Sequence, residues 1–272
     1  MVALSWPLAL SASVYIIVSV VSLQVTSIKN FRPVFPASSV PLFRSGAPDS
    51  DLASLTNFTI FDLRNSDEIN LPDDYIDDDV DNGVTIVNRP LLFPDRVWSD
   101  VRDNEWTLVE CVTSEITSIF SSSSYSKSLY STLENGGISS LYRVILRTSV
   151  KEVNEVINEI ISTSITSKNP ILINCAKGKD RTGLICAILH LLVGIDDDII
   201  ILEYSKSEGN LNEDRTVNYK ESGLDWSKFR GSPSIAMVDT LDYIRSEGYI
   251  NKLNLDVDKL NDFKIIINNN KQ

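Results

Sequence analysis

The chain has 272 residues, and its 43% hydrophobic and 23% charged residues are typical of a globular protein with one sizeable domain. The formal net charge of −12 and the pI near 4.6 argue against a protein that binds nucleic acid through its overall field. An anionic ligand therefore needs a local basic site. The three cysteines, Cys111, Cys175 and Cys186, predict free thiols rather than a disulfide framework.

The first 28 residues differ in composition from the rest of the chain. None of them is charged, and residues 8–25 are mostly apolar, at the short end of the length of a membrane span. The basic residues Lys29 and Arg32 follow this run and favour an uncleaved membrane anchor with the main domain in the cytoplasm. A cleaved signal for entry into the secretory pathway and an ordinary buried segment are the alternatives.

The next part of the chain predicts short strands. Residues 40–48, 58–64 and 83–90 are short segments with β-branched and aromatic residues, and each predicts a strand. A helix is expected between the first two strands, in residues 49–57. Residues 98–140 are rich in serine and predict irregular structure with helical patches, such as residues 109–120.

The second half predicts mainly helices. Apolar residues at helical spacing from Val150 to Ile161 indicate an amphipathic helix, and the sequence ILIN at residues 171–174 indicates a buried strand. Apolar residues 184–193 predict a buried helix that ends at Gly194. Further helices are expected in residues 196–207, 234–247 and 256–267. This order predicts an α/β fold: a single domain with a mainly parallel central sheet flanked by helices and a helical C-terminal part.

An acidic run occupies residues 67–81. The spacing of its aspartates from Asp77 to Asp81 resembles the start of a calcium-binding EF-hand loop. The glycine, however, comes one place late at Gly83, and the twelfth position is Asn88 rather than glutamate. We therefore expect a solvated acidic loop and no metal site here.

The segment NCAKGKDRTG, residues 174–183, lies between the buried strand and the apolar helix. Five residues separate Cys175 from Arg181, and these are Ala176, Lys177, Gly178, Lys179 and Asp180. The start of a helix offers N–H groups and the positive end of the helix dipole, which together bind phosphate. A loop of this length can curl around one phosphate with its N–H groups inward, while Arg181 contacts two phosphate oxygens. The same field favours the thiolate form of Cys175.

A thiolate below a bound phosphate is placed for in-line attack on phosphorus. The resulting phosphocysteine is hydrolysed by water, and no metal or cofactor is needed. The Thr182 hydroxyl is a candidate donor to the sulfur. Alternatively, a buried cysteine before a helix is a small apolar residue, and a Cys-x5-Arg spacing arises by chance. The strand, thiol, glycine, basic loop and apolar helix together favour the phosphate site, whereas Cys186 and His190 are interpreted as core residues of that helix.

This segment resembles the signature loop of cysteine-dependent protein tyrosine phosphatases. It is similar to the atypical branch of bacterial and lower-eukaryote tyrosine, dual-specificity and phosphoinositide phosphatases, whose loop is His-Cys-x-x-Gly-Lys-x-Arg-Thr-Gly. The resemblance extends over residues 29–267 through motifs in the same order, namely NFRPV, LFRSGAP, FDLRNSDE, RPLLFPD, VGIDDDIIILEYSKS and the helices after Ser232. Together with the uncharged, apolar composition of the first 28 residues, it predicts a hydrophobic leader at residues 1–28 and a tyrosine-phosphatase-like catalytic domain at 29–272. The implied partners are phosphorylated proteins or phosphoinositides as substrates.

The resemblance also implies roles for individual residues. Cys175 would be the nucleophile, and Arg181 would clamp the phosphate and stabilise the transition state. The general acid of this branch follows the strand after the Asp-Leu-Arg motif, which places it at Asp95. Asp180 within the loop is the competing acid, and a plain turn at Pro94 and Asp95 is the alternative.

Three further features of the resemblance concern the surroundings of the loop. Arg64 and Glu68 match the pattern Asp-Leu-Arg-x-x-x-Glu and are expected to support the loop. Lys179 is common in the family, whereas Lys177 is an additional charge, and basic loops accompany phosphoinositide or broad specificity. Asn174 stands where the family has histidine. An asparagine can still hydrogen-bond the backbone, so we expect the same reaction from a less reactive thiolate.

The departure at Asn174 leaves a second function open. A pseudophosphatase would bind phosphorylated ligands without turning them over. The presence of both Cys175 and Arg181 favours the enzyme, since a protein that only binds has no need of the nucleophile.

Overall fold

The structure is a computed structural model that describes residues 27–36, 38–69, 82–105, 122–211 and 225–269. The apolar segment 8–25 and the predicted helical patch 109–120 lie outside these residues, as does most of the acidic run. Within the described part of the chain, no helix has the length and apolar character that a membrane crossing requires.

The chain forms two compact units. The first is drawn from residues 1–90, 152–196 and 254–272, and the second from residues 91–151 and 197–253. The first unit contains all five described strands, which are β1 (Arg32–Pro33), β2 (Leu42–Ser45), β3 (Thr59–Asp62), β4 (Thr85–Asn88) and β5 (Ile171–Asn174).

The five strands form one sheet in the order β1-β2-β5-β3-β4. β1 pairs antiparallel with β2, and all the other pairs are parallel. β5, the predicted ILIN strand, lies in the centre of the sheet, and all four of its residues are buried. The mainly parallel sheet, the flanking helices and the helical C-terminal part confirm the predicted fold class.

The helices that the structure describes are α1 (Pro94–Asp100), α2 (Ser122–Thr148), α3 (Val150–Thr166), α4 (Asp180–Val193), α5 (Asp197–Ser205), α6 (Ser207–Asn210), α7 (Ser234–Ser246), α8 (Tyr249–Lys252) and α9 (Val257–Asn268). Short 3-10 helices span Asp49–Ser54, Ser66–Glu68 and Trp226–Phe229, and a π-helical turn spans Val101–Glu105.

α3 and α4 follow the predicted apolar patterns. α3 buries one face, which includes Val153, Ile157 and Ile160. α4 is buried over nearly its whole length and ends at Gly194, whose φ of 79° gives the left-handed C-cap that its position predicted. His190 and Cys186 are buried within α4, as predicted.

The serine-rich region 98–140 differs from its prediction. Instead of irregular structure, much of it belongs to α2, which has a kink at Gly137 where φ is 58° and ψ is −150°. Serine has only a moderate helix propensity, but burial of apolar residues such as Leu133, Tyr142 and Ile145 favours the helix. Similarly, the helix expected in residues 49–57 is a single 3-10 segment.

In the second unit, α1 is held against the end of α2. Arg147 forms a bidentate ion pair with Asp100, in which Nη2 and Oδ2 are 2.6 Å apart. Ser149 is fully buried, and its hydroxyl donates to the carbonyl of Leu91 at 2.8 Å. These contacts fix both ends of the segment that carries Asp95.

The core around β5 generates a stability prediction. Leu172 is 0% exposed and belongs to an apolar cluster with Phe43 and Ile60. Because its truncation leaves a cavity, we expect Leu172→Ala to lower the free energy of unfolding by about 2–5 kcal/mol in urea titrations. Ile265→Ala on α9 is the control, since Ile265 is 55% exposed. A similar loss in both variants would contradict the assignment of the core to β5.

Candidate active site

The four parallel strands end together at one edge of the sheet. In the strand register, Asn174 at the end of β5 is the Cα partner of both Ser45 and Asp62, and Asp62 is that of Asn88. The segments that follow these strands therefore start side by side. Ligands of parallel sheets bind at this carboxyl edge, because the loops that can contact them converge there.

The loop of residues 175–181 starts at this edge, in the centre of the sheet. Cys175 directly follows β5 and is 2% exposed. Ala176 and Lys177 are exposed, whereas Gly178 and Lys179 are buried. Asp180 begins α4, so the loop leads directly into a helix N-terminus.

Gly178 is the tightest point of this loop. Its φ is +65°, a conformation that other residues rarely adopt. A Cβ at this position would lie 2.2 Å from the carbonyl carbon and oxygen of Ser45 and 2.5 Å from the nitrogen of Gly46. Any larger residue would therefore push the loop away from the end of β2.

The carbonyl groups of residues 176–178 accept hydrogen bonds from groups outside the loop. The carbonyl of Ala176 accepts from the N–H of Ala47 at 3.2 Å. Asn30 Nδ2 donates to the carbonyls of residues 177 and 178 at 3.3 and 2.8 Å, and Arg44 Nη2 donates to that of Gly178 at 2.8 Å. In a trans peptide the N–H points opposite to the preceding C=O, so the N–H groups of residues 177–179 are turned away from these partners.

Arg181 is buried and held by the segment that follows β3. Its Nη1 and Nη2 atoms each donate to one carboxylate oxygen of Glu68 at 2.6 Å, and Nη1 also donates to the carbonyl of Leu63 at 3.2 Å. The N–H of Asn65 donates to Glu68 Oε1 at 3.1 Å and orients the carboxylate. A guanidinium has five N–H donors, and these bonds use three, so with respect to the described residues Nε–H and the second N–H of Nη2 remain for a ligand.

Electrostatics keep both members of this pair ionised. Burial lowers the pKa of Arg181, but its hydrogen bonds to Glu68 and the charges of Cys175 and Glu68 outweigh burial, so the net shift is upward. For Glu68, burial raises the pKa, but the hydrogen bonds and charge of Arg181 bring it below its ordinary value. The pair is therefore intact at neutral pH.

Arg64 fixes the segment that carries Glu68. Its guanidinium forms ion pairs with Asp62 at 2.7 Å and with Asp49 at 2.8 Å. Asn88 Nδ2 donates to the carbonyls of Asp62 and Arg64 at 3.0 and 2.8 Å. Arg64 thus links the ends of β3 and β4 to the 3-10 helix that contains Asp49.

Asn174 and Thr182 flank the loop with buried polar groups. Asn174 is 0% exposed, and among the described residues neither its Oδ1 nor its Nδ2 has a hydrogen-bond partner. The Asn174 side chain therefore does not form the hydrogen bond to the backbone that we expected from it. The main-chain carbonyl of Asn174 accepts from the N–H of Leu63 at 2.9 Å. Thr182 Oγ1 is also buried and has no partner within the same part of the chain.

The two candidate acids lie in different units. Asp180 belongs to the first unit, where its Oδ1 lies 3.4 Å from Lys179 Nζ. Asp95 belongs to the second unit, where it is exposed in the first turn of α1. The assignment of the acid to Asp95 stays a prediction.

Asn30 and Arg44 contact the loop, but no role was predicted for either residue from the sequence. Both lie in motifs, NFRPV and LFRSGAP, that carry the family resemblance. For Arg44, the available signal was an arginine that follows two apolar residues in a predicted strand, because a buried arginine needs several acceptors. Within the described residues, no cluster of histidine, cysteine or acidic side chains is arranged to hold a metal ion.

Comparison with known proteins agrees with this geometry. The triple specificity protein phosphatase PtpB of Mycobacterium tuberculosis is 35% identical to this chain over 51 residues, which make up 19% of the chain and 18% of that protein. The similarity therefore spans less than a fifth of the relative's length. The model of the tyrosine phosphatase family matches residues 41–264, which include β2–β5, the whole 175–181 loop and most of α9. Since this match covers about four fifths of the sequence, the chain belongs to the tyrosine phosphatase family.

Proposed function

We propose that this protein hydrolyses phosphomonoesters, with phosphotyrosine as a substrate and dual specificity, through a phosphocysteine intermediate. The observation that carries the proposal is the orientation of the loop peptides. Because the carbonyls of residues 176–178 bond to groups outside the loop, the N–H groups of residues 177–179 are oriented towards its concave side, where a ligand would bind. Membership of the tyrosine phosphatase family supports the same reading.

In this proposal, phosphate is bound by three sets of donors. The loop N–H groups and the N-terminus of α4 contact its oxygens, and the Nε–Nη2 edge of Arg181 binds two of them. Glu68 and Leu63 hold the other side of the guanidinium, so the side chain loses little freedom when the ligand binds. On a chain of net charge −12, this basic site attracts an anion that the rest of the surface repels.

The proposed reaction has two displacements at phosphorus. The thiolate of Cys175 attacks in line, an S–P bond forms, and the P–O bond to the leaving group breaks as Asp95 donates a proton to the leaving oxygen. Water then attacks the phosphocysteine and gives its proton to the same carboxylate, and the S–P bond breaks to release phosphate and the thiolate. Arg181 and the loop N–H groups stabilise the charge on the equatorial oxygens in both steps.

One observation favours the alternative of a pseudophosphatase. The side chain of Asn174 has no hydrogen-bond partner among the described residues, so it does not help to order the loop beside the nucleophile. A binding protein would keep the anion site formed by the loop and Arg181 without needing a reactive thiolate. The two functions can be distinguished with the wild-type protein, since an enzyme hydrolyses phosphomonoesters and a pseudophosphatase only binds them.

The nucleophile can be tested with Cys175→Ser. This variant should lose all turnover but still bind tungstate, because the loop N–H groups and Arg181 remain. Phosphate release from phosphotyrosine peptides and calorimetric tungstate titration measure the two properties. Wild-type activity should need a reductant, resist EDTA and be blocked by vanadate. The control is Cys186→Ala, which removes the other thiol described in the first unit and should remain active.

Two results would contradict this mechanism. Turnover by Cys175→Ser above a trace would exclude the phosphocysteine intermediate, and loss of wild-type activity in EDTA would indicate a metal-dependent reaction. Tungstate binding without any wild-type turnover would favour the pseudophosphatase.

The general acid can be identified from the leaving group. Protonation matters most for a poor leaving group and is typically worth about 10²–10⁴-fold. We expect Asp95→Asn to slow hydrolysis of phenyl phosphate far more than that of p-nitrophenyl phosphate, in kcat/KM measurements. Asp180→Asn is the matched variant. A larger selective loss in Asp180→Asn, or equal losses on both substrates in Asp95→Asn, would reject Asp95 as the acid.

The two loop lysines predict a preference among substrates. Lys177 is exposed, whereas Lys179 is buried with its Nζ 3.4 Å from Asp180 Oδ1. We therefore expect Lys177 to attract a second phosphate next to the one in the loop, as in phosphoinositides, and Lys177→Ala to lower kcat/KM for phosphoinositides more than for phosphotyrosine. Lys168→Ala, an exposed lysine before β5, is the control. Equal losses on both substrate classes, or no phosphoinositide turnover, would leave a phosphotyrosine or dual-specificity enzyme.

A further inference from the structure

We propose that Asn30 is a positioning residue for this reaction. Its side-chain amide holds the peptides of residues 176–178 in the orientation that presents the following N–H groups to the phosphate. The inference rests on the proposed function, but it concerns a residue before the first strand, 145 positions ahead of Cys175 in the sequence.

The backbone around Asn30 is fixed from both sides. Ile28 is buried in the apolar cluster with Phe43 and Leu172, and the carbonyl of Lys29 accepts from the N–H of Gly46 at 2.8 Å. Asn30 itself is 4% exposed and has a φ of 60°, in the left-handed region. Asparagine adopts this region more readily than other residues with a side chain, which suits it to this turn.

The side-chain amide of Asn30 has the two N–H donors that two neighbouring carbonyls of the loop can accept. Nδ2 has two N–H donors, and it donates to two successive loop carbonyls, those of Lys177 and Gly178. Oδ1 accepts from Arg32 Nη1, and since a guanidinium can only donate, this bond fixes which end of the amide faces the loop. The amide is neutral, so it supports the loop without competing with an anionic ligand for the N–H groups.

Asn30 is the support that can be removed most selectively. The Ala176 carbonyl is held by a backbone N–H, which no substitution short of proline removes, and Arg44 contacts only the carbonyl of Gly178. Without the Asn30 amide, the carbonyl of Lys177 loses this side-chain donor, and its peptide is held less firmly. The N–H of Gly178 is then held less firmly as well, because both belong to one planar peptide.

The chain offers a matched control. Among the described residues, only Asn30 and Asn57 have a positive φ without being glycine, with values of 60° and 58°. Asn57 is exposed and precedes β3, at the opposite edge of the sheet from the loop. Substitution by glycine relieves the backbone at both positions alike, and substitution by aspartate keeps the shape of both side chains. Only the change at Asn30 removes donors from the loop.

The experiment compares Asn30→Gly and Asn30→Asp with Asn57→Gly and Asn57→Asp in the full chain. We expect the Asn30 variants to lose about 10- to 100-fold in kcat/KM for phosphotyrosine peptide, mostly in kcat, since displaced donors stabilise the transition state less. Inhibition by vanadate, which adopts the five-coordinate geometry of the transition state, should weaken in parallel, and inhibition by inorganic phosphate much less. The Asn57 variants should retain wild-type values, and the unfolding midpoint is measured for all four.

Each outcome decides the proposal. Asn30 variants that match the Asn57 variants in kcat and vanadate inhibition would overturn it. A loss that appears only as a lower unfolding midpoint, with kcat intact below that temperature, would assign Asn30 a purely structural role and also overturn it. If the wild-type protein turns over no phosphomonoester, the proposed function fails. Direct vanadate titration of the same four variants would then still decide whether Asn30 orders the loop.

Discussion

The loop of residues 175–181 depends on the contact between two backbones, those of Gly178 and Ser45. A single added carbon at residue 178 would lie 2.2 Å from the Ser45 carbonyl, so the loop can lie against the end of β2 only with glycine there. This contact brings the Gly178 carbonyl within reach of Asn30 and Arg44. The orientation of the loop peptides, and with it the proposed anion site, follows from that close approach.

Arg181 connects the loop to the other side of the site. The residue is buried, and a buried guanidinium is unfavourable without acceptors. Glu68 and the Leu63 carbonyl provide these acceptors on one side only. Glu68 in turn depends on the segment that Arg64 fixes through Asp49 and Asp62. The carboxylates of Asp49, Asp62 and Glu68 at this edge thus each have an arginine partner.

The sequence predicted the strand and the helix on either side of this loop well because their signals are local. The strand ILIN, the loop, the apolar helix and its glycine cap are contiguous, and hydrophobic pattern and cap chemistry identify such elements. The contacts of Asn30 and Arg44 with Gly178 bridge 148 and 134 positions in sequence, and no local pattern encodes them. The long helix α2 was missed since serine and the glycine at residue 137 obscure its periodicity, and burial rather than propensity stabilises it.

The unpaired amide of Asn174 is a further difference that sequence alone does not reveal. Asparagine can bond to a nearby backbone, but in β5 both of its polar atoms are enclosed without a partner in the described residues. A buried polar group in this state costs free energy, about 1–3 kcal/mol in typical proteins. Such a cost next to the proposed nucleophile is characteristic of positions that are selected for function rather than for stability.

The hydrogen bonds from Asn30, Arg44 and Ala47 to the loop also couple ligand binding to the folding of the first unit. These donors belong to the N-terminal segment, to β2 and to the turn after it, so the loop is ordered only when these parts are folded. A ligand that binds only the folded loop stabilises them all, by about 2.7 kcal/mol at a concentration of one hundred times its Kd. If the loop binds phosphate as proposed, phosphate in a buffer would stabilise the folded protein and hide the lower stability of variants that have lost contacts to the loop.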